Sequence, residues 1–239
     1  MYGVSEIVAP VKTLRALELK RVCAAAIASL AWFALVVQVY FDISDALANN
    51  LSVTNGLVQY FSFFTIQTNM LIALILTVSF ARPQAEPFLM RPSVNSALAN
   101  YIVIVGVVYA LLLRHLWDPQ GLQFVADRVL HDAIPALYPL YWLVFHPKGR
   151  LRWIDPVIWL IYPIVYFAYI LLRGAVFGIY PYPFVDVIRL GYSGVAINAM
   201  FFLAAFFALG VFFAGVDRAL AGRERRLLAG LAEPPNSDK

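Results

Sequence analysis

Six apolar runs divide the chain, at about 22–41, 59–80, 95–117, 125–146, 153–173 and 193–216. Each is near the roughly 20 residues that a helix rising about 1.5 Å per residue needs to cross a bilayer. The pattern predicts an all-α fold, a polytopic membrane protein built as a bundle of six transmembrane helices over 22–216. The third run is the most polar, opening with Asn95 and Asn100 and closing with Arg114 and His115. Pro135 and Pro139 in the fourth run and Pro163 in the fifth predict local kinks rather than breaks, because neighbouring groups in a bundle take up a freed carbonyl. Residues 1–21 read as a cytoplasmic N-terminal segment. Its Lys12, Arg15, Lys20 and Arg21 precede a full-length apolar run, which predicts a retained signal anchor rather than a cleaved leader. Residues 217–239 read as a solvated cytoplasmic tail that touches anionic lipid at most.

The polar residues inside these runs carry more information than the runs themselves. Ser62, Thr65, Thr68 and Asn69 interrupt the second, and His131 and Asp132 the fourth. A polar or ionisable group in hydrocarbon is expensive, so it marks a function by default. Ser62, Thr65 and Asn69 fall at i, i+3 and i+7, which is one face of a helix. Two helices entering from the same side place Thr65 and His131 at matching depth, each roughly 9 Å below the start of its helix. A hydroxyl and an imidazole at one level suggest a nucleophile and its base. The alternatives are a packing stripe of small hydroxyls and a satisfied structural histidine. Asp132 points about 100° away from its neighbour His131, so it is expected to pair with an arginine instead.

Loop charge sets the orientation. The N-terminus, the second and fourth loops and the tail hold 14 of the 18 Lys and Arg residues. Positive residues stay inside, so both termini are expected in the cytoplasm and the number of spans must be even. Composition agrees with a membrane protein: 62% of residues are hydrophobic and 13% charged, and mean hydropathy is +0.76. The net charge of +4 resides at helix ends, so no nucleic-acid partner is expected. The single cysteine, Cys23, excludes an intramolecular disulfide and a thiolate cluster. The three histidines lie at different depths and form neither HxxxH nor HExxH. Neither a metal site nor a cofactor is expected.

Arg114, Arg173 and Arg189 fall near the outer side with Asp186 and Asn198. Each arginine either snorkels to the interface or clamps a carboxylate or ester oxygen at the mouth of the site. Asp186 and Arg189 are three residues apart and suited to pairing. The loop "GAVFGIYPYPFVDVIRLGY" reads as an aromatic lid or interfacial belt.

The strings "YFSFFTIQTNML", "LHDAIPALYPLYWLVFHPKGRLRW" and "YPYPFVDVIRLGY" resemble the bacterial Pr6Pr membrane proteins along nearly the whole chain. That group is similar, in helix number and polar positions, to the eukaryotic androgen-induced, FAR-17a-like family. The eukaryotic members are membrane threonine hydrolases of fatty acid esters of hydroxy fatty acids. The resemblance implies such an activity here, with His131 in the histidine's place and Thr65, or Ser62 or Thr68 under a shifted pairing, as nucleophile. Ser62, Asn69, Arg173, Asp186 and Arg189 would then bind substrate, a membrane lipid or fatty-acyl ester, in the inner (cytoplasmic) membrane. Because amides within a helix are already bonded, the oxyanion is expected to need side-chain donors such as Asn69 or Tyr138. The competing reading is a non-catalytic lipid-binding, transport or scaffold protein.

Overall fold

The computed structural model describes residues 4–82 and 90–232, with side chains for 15–82 and 90–223. Most of the expected tail sequence "AEPPNSDK" lies outside the described residues.

Among the described residues the fold is helical without strands. Helix α1 (Val4–Ala48) absorbs the expected N-terminal segment, so the apolar run continues a helix already formed. Five helical stretches are long and apolar enough to cross a membrane: Arg15–Ala48, Phe64–Ala81, Pro92–Leu113, Asp155–Phe177 and Val187–Arg223. The fourth expected run is helical from Gly121 to Phe145, as α5 (Gly121–Arg128), a π turn (Val129–Ala133) and α6 (Ile134–Phe145). It falls outside the five because Asp127, Arg128, His131 and Asp132 lower the hydropathy of its first half.

Two expected segments are interrupted. The second divides into α2 (Val53–Tyr60) and α3 (Phe64–Ala81), and the fifth into α7 (Asp155–Trp159) and α8 (Ile161–Phe177). Ser52 caps α2, its hydroxyl accepting from the Asn55 amide while the Asn55 side chain accepts from the Ser52 amide. Between α2 and α3, residues 61–63 leave the helix, and their backbone groups find tertiary partners. Gln67 Nε2 donates to the Phe61 carbonyl at 2.8 Å and the Tyr166 hydroxyl to the Ser62 carbonyl at 2.8 Å. The Tyr182 hydroxyl accepts from the Phe64 amide at 3.1 Å. Such a break survives at membrane depth only where the freed groups are paired in this way.

Helix α4 (Pro92–Val108) extends through a second π turn, Tyr109–Leu113. Its first half is polar and holds neighbours together. Tyr138 donates to Asn95 at 3.1 Å, Trp142 to Ser96 at 2.7 Å, and Asn100 to the Phe206 carbonyl at 3.0 Å. These are interhelical bonds, and they account for the polarity of the third run. Helix α9 (Val187–Ala232), interrupted by non-helical backbone at Gly191 (φ 66°, ψ 167°), continues well past Arg218, so the tail expected from 217 onward is helical up to Ala232. Spans α3 and α4 are the most enclosed, whereas α8 and α9 present Ile164, Val165, Leu172, Met200 and Phe201 outward. The central pair therefore forms the core, and the outer pair carries the surface suited to hydrocarbon.

Gly56 lets α2 lie against α1. A Cβ there would stand 2.8 Å from the Asp42 carbonyl oxygen and from Ile43 Cα, both backbone atoms. Gly56→Ala is therefore expected to destabilise the protein by about 1–3 kcal/mol, the usual cost of overpacking. Gly215→Ala, where a Cβ meets nothing within 4 Å, serves as the control. Thermal unfolding in detergent, with Gly56→Ala melting no lower than the control, would refute this account of the α1–α2 contact.

Candidate functional site

A cavity of about 710 Å³ opens at the end of the bundle where α1, α4 and α8 finish and α3 and α5 begin. Thr65, His131 and Arg173, three of the residues singled out in the sequence, all line it.

Thr65 occupies a different kind of position from the one expected. Because α3 starts at Phe64, Thr65 lies in the first turn of the helix, not within it. The first amides of a helix have no intrahelical acceptor. Here the Phe64 amide reaches Tyr182, and the Thr65 and Ile66 amides lie beside it in the same turn. The side chains proposed in their place are engaged elsewhere. Asn69 Nδ2 donates to the Thr65 carbonyl at 2.9 Å and the Leu130 carbonyl at 3.3 Å. Tyr138 is fully buried and bonded to Asn95.

The Asn69 bridge joins the two halves of the site. One amide nitrogen spans the residue before His131 and the carbonyl of Thr65, which bounds the separation of those two carbonyl oxygens at about 6 Å. The helices bearing the hydroxyl and the imidazole are therefore in direct contact.

His131 lies in the Val129–Ala133 π turn. Pro135, four residues on, has no N–H for the His131 carbonyl and would crowd it in a regular helix. The wider turn, closed by the Ile134 amide on the Val129 carbonyl, relieves that crowding. The imidazole stacks on Tyr109, itself in the other π turn, at 3.9 Å between centroids and 15° between planes. His131 Nδ1 stands 3.0 Å from the Asp127 carbonyl oxygen and 3.0 Å from Asp127 Oδ1. The bond geometry favours the carbonyl, so Oδ1 lies close without a bond of its own. Asp127 is 1% exposed, and its Oδ2 accepts from the Tyr109 hydroxyl at 2.5 Å. Tyr109, Asp127 and His131 thus form one closed unit. With Nδ1 directed into it, Nε2 remains for the cavity.

Asp132 turns away, as its position in the helix implies, and forms ion pairs with Arg114 and Arg128. Arg173 is 8% exposed. It donates from Nη1 to the Ile179 carbonyl and from Nη2 to Gln59 Oε1, both at 3.0 Å. Tyr182, between Thr65 and Arg173 in the cavity wall, has its phenol pushed above the ordinary value by burial. Hydrogen bonding from Thr65 and the Phe64 amide opposes that shift.

The other expected site residues lie elsewhere. Ser62 is buried in the α2–α3 turn with its hydroxyl on the Val58 carbonyl at 2.5 Å, and Thr68 is fully enclosed; neither lines the cavity. Asn69 acts behind the wall as the bridge. Asp186 caps α9, its Oδ1 accepting from the amides of Ile188 and Arg189. Arg189 is exposed and forms no ion pair with Asp186, contrary to the pairing expected from their spacing. Neither residue reaches the cavity. Asn198 holds the Phe184 carbonyl at 2.9 Å.

Asp127 escaped the sequence reading, although its i, i+4 spacing from His131 is the signal that reveals it. A stripe on α1 escaped as well. Gln38, Asp42, Asp45 and Asn49, at i, i+4, i+7 and i+11, all line the cavity. A smaller apolar pocket of about 60 Å³ lies behind Thr65, among Val105, Val108, Phe167 and Phe206, and shares Thr65, Leu113 and Tyr182 with the large one. Among the described residues no group of three or more His, Cys, Asp or Glu side chains is placed to hold a metal ion.

Tyr109→Phe removes one donor from a buried carboxylate. It is expected to cost about 1.5–3 kcal/mol, the range for hydrogen bonds to charged groups. Tyr40→Phe, on an exposed ring, is expected to cost almost nothing. Equal melting temperatures for the two variants would show that the Tyr109–Asp127 bond contributes little.

Comparison with known proteins gives no matching family model, no significantly similar curated protein and no significantly similar solved structure.

Proposed function

We propose that this protein is a membrane hydrolase of carboxylic esters of fatty acids. The observation that carries the reading is one cavity lined by Thr65 in the first turn of α3, an oriented His131 and a buried Arg173. Thr65 Oγ1 attacks the ester carbonyl, and His131 Nε2 takes its proton, directly or through one water. The same nitrogen returns the proton to the departing alkoxide, which leaves as the alcohol. Water then attacks the acyl-threonine, giving up its proton to His131 and releasing the acid.

Asp127 and Tyr109 orient the imidazole, as a carboxylate does in a hydrolytic triad. The Ile66 amide, at the positive end of α3, supplies a donor for the oxyanion. Arg173 holds an anionic group of the substrate. The apolar pocket behind Thr65 takes the near end of the acyl chain.

The protein sits in the inner membrane with six spans and both termini cytoplasmic. The Gly121–Phe145 helix is the sixth span, and its charged first half borders the site rather than lipid. The cavity then opens on the extracytoplasmic side.

Two measurements test this reading. Fluorophosphonate labelling of purified protein is expected to be lost in Thr65→Ala and His131→Ala and kept in Ser62→Ala and Thr68→Ala. Ester turnover should fall by at least about a hundredfold in the same two variants, in line with loss of general base or nucleophile. Unchanged turnover in a folded Thr65→Ala protein would leave the lipid-binding or scaffold role. For topology, single cysteines at positions 50, 119 and 180 in a Cys23→Ala background are expected to react with an impermeant maleimide in intact cells, and one at 149 is not. Labelling at 149 would contradict the six-span orientation.

A further inference from the structure

The cavity wall carries charges of both signs, and they do not neutralise one another. Arg173 is buried with only neutral acceptors, the Ile179 carbonyl and the Gln59 amide oxygen. Elsewhere in the cavity lining, half-buried Asp42 accepts from the neutral Gln38 amide at 3.0 Å, and Asp45 lines the same space from an exposed position. Among the described residues no ion pair within 4 Å includes Arg173, Asp42 or Asp45. A buried charge without a counter-charge is costly, and a ligand that brings an anion to Arg173 recovers that cost, while the half-buried and exposed carboxylates of Asp42 and Asp45 set the sign of the field on α1. A ligand with only an anion gains from Arg173 and is repelled by the α1 carboxylates. A ligand with only a cation meets the reverse. A headgroup carrying both satisfies both walls, and the polar stripe of α1, with Gln38 and Asn49 flanking the two acids, extends the hydrogen-bonding surface along it.

We infer that the large cavity is a subsite for a zwitterionic headgroup, with Arg173 taking the anion and Asp42 with Asp45 taking a cationic nitrogen. The inference rests on reading this cavity as the substrate site, and it narrows the substrate to acyl esters whose alcohol part is bipolar. Such a part is either a phosphate with an ammonium, as in a lysophospholipid, or a carboxylate with an ammonium, as in an acylated hydroxy amino acid.

The test is binding to the Thr65→Ala protein, which needs no turnover. Isothermal titration in detergent uses four probes. Lysophosphatidylethanolamine and palmitoylcarnitine carry an anion and a cationic nitrogen; lysophosphatidylglycerol and the palmitate ester of hydroxystearic acid carry an anion alone. The zwitterionic probes are expected to bind about tenfold tighter than the anionic ones, and Asp42→Asn with Asp45→Asn is expected to erase that preference. Arg173→Gln is expected to weaken all four. Because the preference between probes is read within one protein, the aspartate variant decides the matter even where Arg173→Gln fails to fold. The order of the two zwitterionic probes distinguishes a phosphate from a carboxylate source. Equal or tighter binding of the anionic probes, a preference that survives the aspartate substitutions, or no binding by folded protein overturns the inference. Selective binding without wild-type hydrolysis would remove the hydrolase reading alone, and hydrolysis without selectivity would remove the headgroup inference alone.

Discussion

Three side chains keep the break between α2 and α3 open. Gln67 and Tyr166 donate to the carbonyls of Phe61 and Ser62, and Tyr182 accepts from the amide of Phe64. A backbone group left unpaired in an apolar layer costs several kcal/mol, so without these partners the chain from Val53 to Ala81 would close into one straight helix. Thr65 would then stand within that helix, its amide bonded to a carbonyl one turn earlier. With the break in place it stands in a first turn, beside amides that have no intrahelical acceptor and at the positive end of the α3 dipole. The chemistry available at Thr65 therefore depends on a tyrosine from α8 and another from the loop after it.

The second constraint is proline. Pro135 denies the His131 carbonyl its usual donor, and the helix widens into a π turn there. The second π turn, around Tyr109, brings that ring flat against the imidazole. Gly106 allows the approach, since a Cβ at that position would stand 2.8 Å from Pro135 Cβ and 3.3 Å from the His131 carbonyl oxygen. Two irregular turns facing each other across a glycine thus place His131, Asp127 and Tyr109 in one unit. Irregular helix of this kind is a recurrent feature of functional sites.

The polar residues of the spans divide into two groups by height. Toward one end of the bundle Asn95, Ser96 and Asn100 bond with Tyr138, Trp142 and the Phe206 carbonyl, and they act as interhelical bonds. Toward the other end Thr65, His131, Arg173 and the α1 stripe surround open space. The same residue types hold helices together at one level and line a cavity at the other. What separates the two outcomes is whether a partner fills the space opposite.

By itself the sequence determined the membrane class and the positions of the apolar segments, because burial in hydrocarbon demands about 20 apolar residues whatever the neighbours are. It also made Thr65, His131 and Arg173 legible as candidates, because a polar group at that depth is conspicuous in composition alone. Asp127 and the stripe from Gln38 to Asn49 were legible in principle, since both follow helical spacing within one segment. Asp186 and Arg189 illustrate the limit: their spacing suited an ion pair, yet Asp186 was taken by the free amides at the start of α9. Only the tertiary structure decided where the second segment breaks, which of Ser62, Thr65 and Thr68 faces open space, and that Asn69 ties Thr65 to Leu130. Those outcomes rest on hydrogen bonds between residues 61 to 118 positions apart, and no local pattern encodes a partner that far along the chain.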